Sequence, residues 1–182
     1  MTSEGMAVFL DRDGVINVDH GYVHRIADFQ FLPGALEGAS LLHGAGYQLI
    51  VITNQAGIAH GYFDEAAYSH LTRWMQAQFA AAGAPLAGVY HCPHHPEARL
   101  EQLRRECSCR KPSPGLILRA IADHRIDPSK SALVGDKPSD IEAALLAGIA
   151  RRFLVRSVHV PPNEPGVFDS LLSVARHIEG SG

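Results

Sequence analysis

Four short polar clusters carry the residue types that can do chemistry: Asp11-Arg12-Asp13-Gly14, Thr53-Asn54-Gln55, Arg110-Lys111-Pro112 and Gly135-Asp136-Lys137-Pro138-Ser139-Asp140. Side chains two apart on extended backbone share a face, so Asp11 and Asp13 point the same way. Two carboxylates held side by side repel unless a proton or a cation intervenes. Asp136 and Asp140 are four apart and fall on one side of a first helical turn if a helix begins near Ser139. Gathered at one mouth, the four call for a hard divalent cation bound through oxygen. Mg²⁺ suits a site of few protein carboxylates completed by water and phosphate. The Thr53 hydroxyl and backbone N–H groups at a strand end can cradle phosphate oxygens, and the Lys111 ammonium neutralises their charge. Each cluster alone has a plain reading as a polar strand end, a helix cap or a solvated lysine. Convergence is what argues for a site.

A second constellation is Cys92, His94, Cys107 and Cys109. Two Cys-x-ligand pairs separated by a short loop suit tetrahedral Zn²⁺ with no open position, hence a structural ion. The competing reading is a Cys92–Cys107 or Cys92–Cys109 disulfide with a spare thiol. His91 and His95 are alternative imidazole donors; His91 is expected to end a strand and His95 precedes Pro96, which favours His94.

The elements that must position these residues alternate. Residues 6–10, 47–53, 88–91, 131–134 and 152–155 read as strands, the first two as nearly continuous apolar runs expected of strands buried on both faces. Helices are predicted over 33–46, over 65–82 with Asp64 as N-cap, from Ser113 as cap and Pro114 as first helical residue to about 124, and over 139–146 and 167–178. Residues 92–112 read as an irregular excursion, 161–165 as a Pro-rich turn and 180–182 as a loose tail. Repeated βαβ units predict an α/β fold with a doubly wound, mostly parallel sheet. Ligands then sit outside the carboxyl ends of the strands, which is where the polar clusters fall.

The chain has 182 residues, 46% of them hydrophobic and 19% charged, with a formal net charge of −3. That is an ordinary globular balance and the size of one domain. No basic face is implied, which disfavours a nucleic-acid partner. Apolar runs are far short of the roughly 20 residues that span a bilayer, so no membrane partner is expected. The first residues lack the pattern of a secretory signal, and three clustered cysteines suit a reducing compartment, so the cytoplasm is the expected location. With no obvious exposed apolar stripe, a monomer is expected.

The ordered set Asp11-x-Asp13-Gly14, Thr53-Asn54, Lys111-Pro112 and Gly135-Asp136…Asp140 resembles the haloacid dehalogenase superfamily of phosphatases. Asn17-Val-Asp-His-Gly-Tyr22, Thr53-Asn-Gln-Ala-Gly-Ile58, His91-Cys-Pro-His-His-Pro96 and Cys107-Ser-Cys-Arg-Lys-Pro112 narrow the resemblance to its branch of heptose-bisphosphate and histidinol-phosphate phosphatases. The resemblance implies a Rossmann-like core without a separate cap domain. It implies a phosphomonoesterase acting on a small sugar bisphosphate, in the synthesis of nucleotide-activated heptose for lipopolysaccharide core or a related glycan. Histidinol phosphate is the alternative substrate, and a nucleic-acid 3′-phosphate a more distant one. It assigns Asp11 as nucleophile and Asp13 as general acid and base. Mg²⁺ is assigned to Asp11, the Asp13 backbone carbonyl and Asp136, with Asp140 supporting. Thr53 and Lys111 steady the transferring phosphate. Substrate recognition falls to Asp19, His20, Gly21 and Tyr22, to Asn54 and Gln55 with the turn 55–61, to Arg110 at the substrate's second phosphate, and to Lys137.

Overall fold

The computed structural model describes residues 5–180. A single sheet forms from β1 (Ala7–Leu10), β2 (Gln48–Asn54), β3 (Leu86–Cys92), β4 (Ala132–Gly135), β5 (Arg151–Val155) and β6 (Val167–Phe168). Its order is β3-β2-β1-β4-β5-β6 and every neighbouring pair is parallel. Alternation along the strands sends side chains to two separate cores. Val8, Leu10, Leu49 and Val51 pack beneath α1 (Ala35–Gly44), α3 (Glu65–Ala81) and α6 (Leu171–Gly180). Ala7, Phe9, Ile50 and Ile52 pack beneath α4 (Gly115–His124) and α5 (Pro138–Leu146). Burial on both faces is why these strands read as continuous apolar runs instead of alternating ones. None of the described helices is long and apolar enough to cross a membrane.

The chain winds from β1 outward through β2 to β3, then crosses back to β4 on the other side of β1. The order therefore reverses between β1 and β4, and a crevice opens at their carboxyl ends. Asp11 follows β1 directly and Asp136 follows β4 directly.

Several boundaries differ from expectation. Residues 167–168 do not begin the last helix. They form β6 on the sheet edge, where Phe168 accepts the Arg156 N–H at 2.8 Å, and the helix starts only at Leu171. Two residues are too few to show a strand period. The Ser113 cap is displaced: Pro114 occupies the N-cap with no side-chain cap bond, and Gly115 N–H is taken by Ser108 O at 2.8 Å. β3 runs past His91 to Cys92, and the turn 55–61 contains a short helix α2 (Ala56–Ala59). The Asp64 cap forms as expected, accepting from Ala67 N–H at 2.8 Å. The last helix continues through Gly180, and 181–182 lie outside the described residues.

Candidate active site

The crevice brings Asp11, Asp13, Asn54, Lys111, Lys137, Ser139 and Asp140 around one small opening of about 50 Å³. Lys111 is its electrostatic centre. The ammonium lies 3.0 Å from Asp11 Oδ1 and 2.6 Å from Asp140 Oδ1, and donates to Ile52 O at 2.9 Å. These three partners use all three N–H donors. Burial alone would lower its pKa, but Asp11 and Asp140 outweigh that and hold it above the usual lysine range. Asn54, at the end of β2, fixes the backbone that carries it. Its Oδ1 accepts Lys111 N–H and its Nδ2 donates to Lys111 O, both at 3.1 Å.

Burial raises the Asp11 carboxyl to about 8; Lys111 opposes the rise, and Asp140, Asp136 and Asp13 add to it. Burial likewise raises Asp136, against the pull of Lys137. Both Asp136 oxygens are buried without a hydrogen-bond partner among the described residues. One candidate ligand atom each from Asp11, Asp136 and Asp140 lie within 4.8 Å of one another. Gly14, at φ +89°, leaves the space beside them: a Cβ there would come 2.3 Å from Asp136 Oδ2. Buried carboxylate oxygens without donors are costly unless a cation meets them. The donor set fits a hard, oxygen-bound divalent ion held by Asp11 and Asp136. Asp140 is otherwise engaged. Its Oδ2 accepts the N–H groups of Asp136 and Lys137, both at 3.1 Å, and its Oδ1 faces Lys111, which suits a supporting place beside that ion.

Asp13 accepts four hydrogen bonds. The Arg12 fork supplies two, Nε to Oδ2 at 3.2 Å and Nη2 to Oδ1 at 3.0 Å. Asn17 Nδ2 gives a third at 3.0 Å and Gln55 Nε2 a fourth at 3.1 Å. Gln55 Nε2 also donates to Thr53 Oγ1 at 2.9 Å, so Thr53, Gln55 and Asp13 form one chain across the mouth. Sequence reasoning missed Arg12 and Asn17 as contributors. Arg12 is 1% exposed and Asn17 fully buried. Nothing local flags either, since both act through partners that the fold supplies.

At the rim, Asp19 Oδ1 accepts Gly21 N–H at 2.9 Å, and Oδ2 lies 3.6 Å from Lys137 Nζ and 3.9 Å from His159 Nε2. His159 was not anticipated. It brings the 157–160 segment alongside Asp19. His20, Gly21 and Tyr22 line an adjoining cleft of about 520 Å³. The exposed Tyr22 ring sits 4.7 Å from that of Tyr62. Arg110 is half-buried and donates to His94 O at 3.2 Å, which ties it to the Cys/His excursion.

That excursion closes on itself. Cys92 Sγ lies 3.5 Å from Cys107 Sγ and 3.0 Å from Cys109 Sγ, and Cys107 and Cys109 are 3.3 Å apart. His94 Nδ1 approaches Cys109 Sγ at 3.4 Å and Cys92 Sγ at 3.8 Å. No pair is at the roughly 2.05 Å of a disulfide, and all three thiols are free. A zinc tetrahedron with Zn–S of about 2.3 Å has edges of about 3.8 Å, so these separations of 3.0 to 3.8 Å stand at or inside that size and fit the ion. The other imidazoles are spoken for. His91 Nε2 bonds Glu65 at 3.0 Å, and His95 Nδ1 accepts Glu97 N–H at 3.1 Å.

Comparison with known proteins bears on the chain as a whole. Residues 108–159 match the HAD-hydrolase-like family. The D-glycero-beta-D-manno-heptose-1,7-bisphosphate 7-phosphatase of Photorhabdus laumondii is 51% identical over 157 residues, covering 86% of this chain and 84% of the relative. The protein of the same name from Vibrio cholerae is 47% identical over 178 residues, covering 94% and 95%. A crystal structure of D,D-heptose 1,7-bisphosphate phosphatase from B. bronchiseptica, complexed with magnesium and phosphate, superposes with a TM-score of 0.83 at 30% identity, covering 97% of this chain and all of that one. The chain belongs to the heptose-1,7-bisphosphate 7-phosphatase family of haloacid-dehalogenase-like hydrolases.

Proposed function

We propose that this chain removes the 7-phosphate from D-glycero-D-manno-heptose 1,7-bisphosphate, the reaction named for its relatives, through an aspartyl-phosphate on Asp11. The observation that carries the reading is the meeting of Asp11, Asp13, Lys111 and Asp140 at one small mouth.

Asp11 Oδ attacks phosphorus and the bond from phosphorus to the sugar oxygen breaks. Asp13, carrying a proton on one oxygen in place of one of the four donors it otherwise accepts from, supplies that proton to the departing sugar alkoxide and becomes the carboxylate. It then accepts a proton from water, whose oxygen attacks the aspartyl-phosphate. Inorganic phosphate leaves and Asp11 returns as carboxylate. General acid–base help of this kind contributes roughly 10²–10⁴-fold. Lys111 offsets the charge of Asp11 as the two anions approach. Thr53, Asn54 and Gln55 orient the phosphate, and Arg110, Lys137 and the segment 19–22 recognise the rest of the substrate. Mg²⁺ held by Asp11, Asp136 and the Asp13 backbone carbonyl, with Asp140 supporting, would keep Asp11 ionised and draw charge from the phosphate. Zn²⁺ on Cys92, His94, Cys107 and Cys109 would brace the excursion that delivers Arg110 and Lys111. Thiolate ligands suit a reducing compartment, which favours the cytoplasm, and the dephosphorylated heptose would feed the synthesis of a nucleotide-activated sugar.

The test is phosphate release from heptose bisphosphate, fructose bisphosphate and histidinol phosphate, each with and without Mg²⁺. Metal-dependent release fastest from the heptose is expected. Preference for histidinol phosphate would overturn the substrate assignment, and metal-independent release the mechanism.

A further inference from the structure

Arg12 is the largest fully buried side chain in the described structure, and it is a cation. Packing does not explain it. A buried ion pair is often matched or bettered in stability by apolar residues of similar volume, and Val15, Ile16 and Val23, which bond to Arg12 through their backbones, are apolar and buried. What the arginine has that they lack is a rigid fork. Nε and Nη2 grip the two oxygens of Asp13 at 3.2 and 3.0 Å, and Nη2 also donates to Val23 O at 2.7 Å. Val23 directly follows the segment 19–22 that borders the cleft. The backbone of Arg12 is pinned as well: its carbonyl accepts from Val15, Ile16 and Asn17 at 3.3, 2.8 and 3.2 Å. A planar guanidinium can hold a carboxylate in one orientation and a carbonyl at the same time, whereas a lysine ammonium meets a carboxylate as a point charge.

We infer that Arg12 is a positioning residue that sets the orientation of the Asp13 carboxylate and ties it to the backbone of the substrate-recognition loop. The inference rests on the assignment of Asp13 as the acid that protonates the leaving oxygen.

The leaving group provides the test. A sugar alkoxide needs a proton as it departs; p-nitrophenolate does not. Single-turnover rates of leaving-group release, with enzyme in excess and Mg²⁺ present, read only phosphoryl transfer to Asp11. Arg12→Lys is expected to slow release from the heptose bisphosphate by about tenfold or more, a part of the roughly 10²–10⁴-fold that general acid–base help supplies, and from p-nitrophenyl phosphate by less than about threefold. Arg12→Gln, an uncharged side chain with amide donors, is measured in the same way should the lysine variant not fold. Equal losses on both substrates would show that the side chain merely supports the fold, and an unchanged rate would show that it does nothing; either overturns the inference. Asp13→Asn is run alongside. If its loss is equal on both substrates, the acid assignment itself has failed. If its loss is selective while that of Arg12→Lys is not, the failure belongs to Arg12 alone.

Discussion

Lys111 and Asp140 form an ion pair of 2.6 Å in which the side chains are only 3% and 1% exposed. It bridges the excursion after β3 to the first turn of α5, and Asp11 stands on its other flank at 3.0 Å. Removing one partner of such a buried pair strands the other's charge. Lys111→Met should therefore lower stability by about 3–5 kcal/mol when measured by urea unfolding without added Mg²⁺. It should also cut turnover by about a hundredfold, the scale of losing one preorganised electrostatic contact. A variant as stable as the unaltered protein would show that the pair does not hold these segments together.

Asp136 presents the opposite situation, a buried carboxylate whose oxygens meet no donor among the described residues. In the metal-free protein Asp136→Asn removes a destabilising charge, so its thermal midpoint should rise. Mg²⁺ at a hundred times its dissociation constant stabilises a binding protein by about 2.7 kcal/mol, and that increment should vanish in the variant. Calorimetry with and without Mg²⁺ reads both effects. A variant that Mg²⁺ still stabilises to the unaltered extent would remove Asp136 from the site.

Asp11 and Asp136 were legible in the sequence because each directly follows an apolar run, and the βαβ order fixes where such run ends converge. Lys111 was legible only as one member of a set; its burial depends on Asn54, 57 residues earlier in the chain. Arg12 was not legible as a contributor. Alternation sends residue 12 away from its neighbours, and only the folded segment around Val23 turns its long side chain back onto Asp13. The edge strand at Val167–Phe168 was hidden for a different reason. It is two residues long and borders an amphipathic helix, so the helical period swallowed it. The displaced cap at Ser113 is a local competition, settled when Ser108 took the N–H of Gly115.

Asn54 holds Lys111 by a reciprocal pair of backbone bonds, with the side-chain amide standing in for a peptide group. Asn54→Ala forfeits both and should cost about 1–3 kcal/mol. Asn54→Asp keeps the acceptor, loses the donor and adds a negative charge to a mouth already rich in carboxylates. Its loss of turnover should exceed that of the alanine variant, while Mg²⁺ still binds, as read by titration calorimetry. Equal turnover in the two variants would mean that side-chain charge at position 54 is not felt by the reacting groups.

Cys109 stands two residues before Lys111, and the intervening Arg110 is tied back to His94 O at 3.2 Å. A metal joining Cys92 and His94 to Cys107 and Cys109 would clamp the end of β3 to the backbone that carries Lys111. Cys109→Ala should abolish bound zinc, since structural sites use all four ligands, and stability and turnover should fall together because one segment underlies both. Stripping zinc from the unaltered enzyme with a strong chelator should reproduce both losses, and restoring zinc should reverse them. His91→Ala is the contrasting variant: that imidazole is engaged with Glu65, so zinc content by mass spectrometry should stay at one ion per chain. If instead Cys109→Ala retains zinc, or loses it with turnover intact, the excursion does not position Lys111 through a metal.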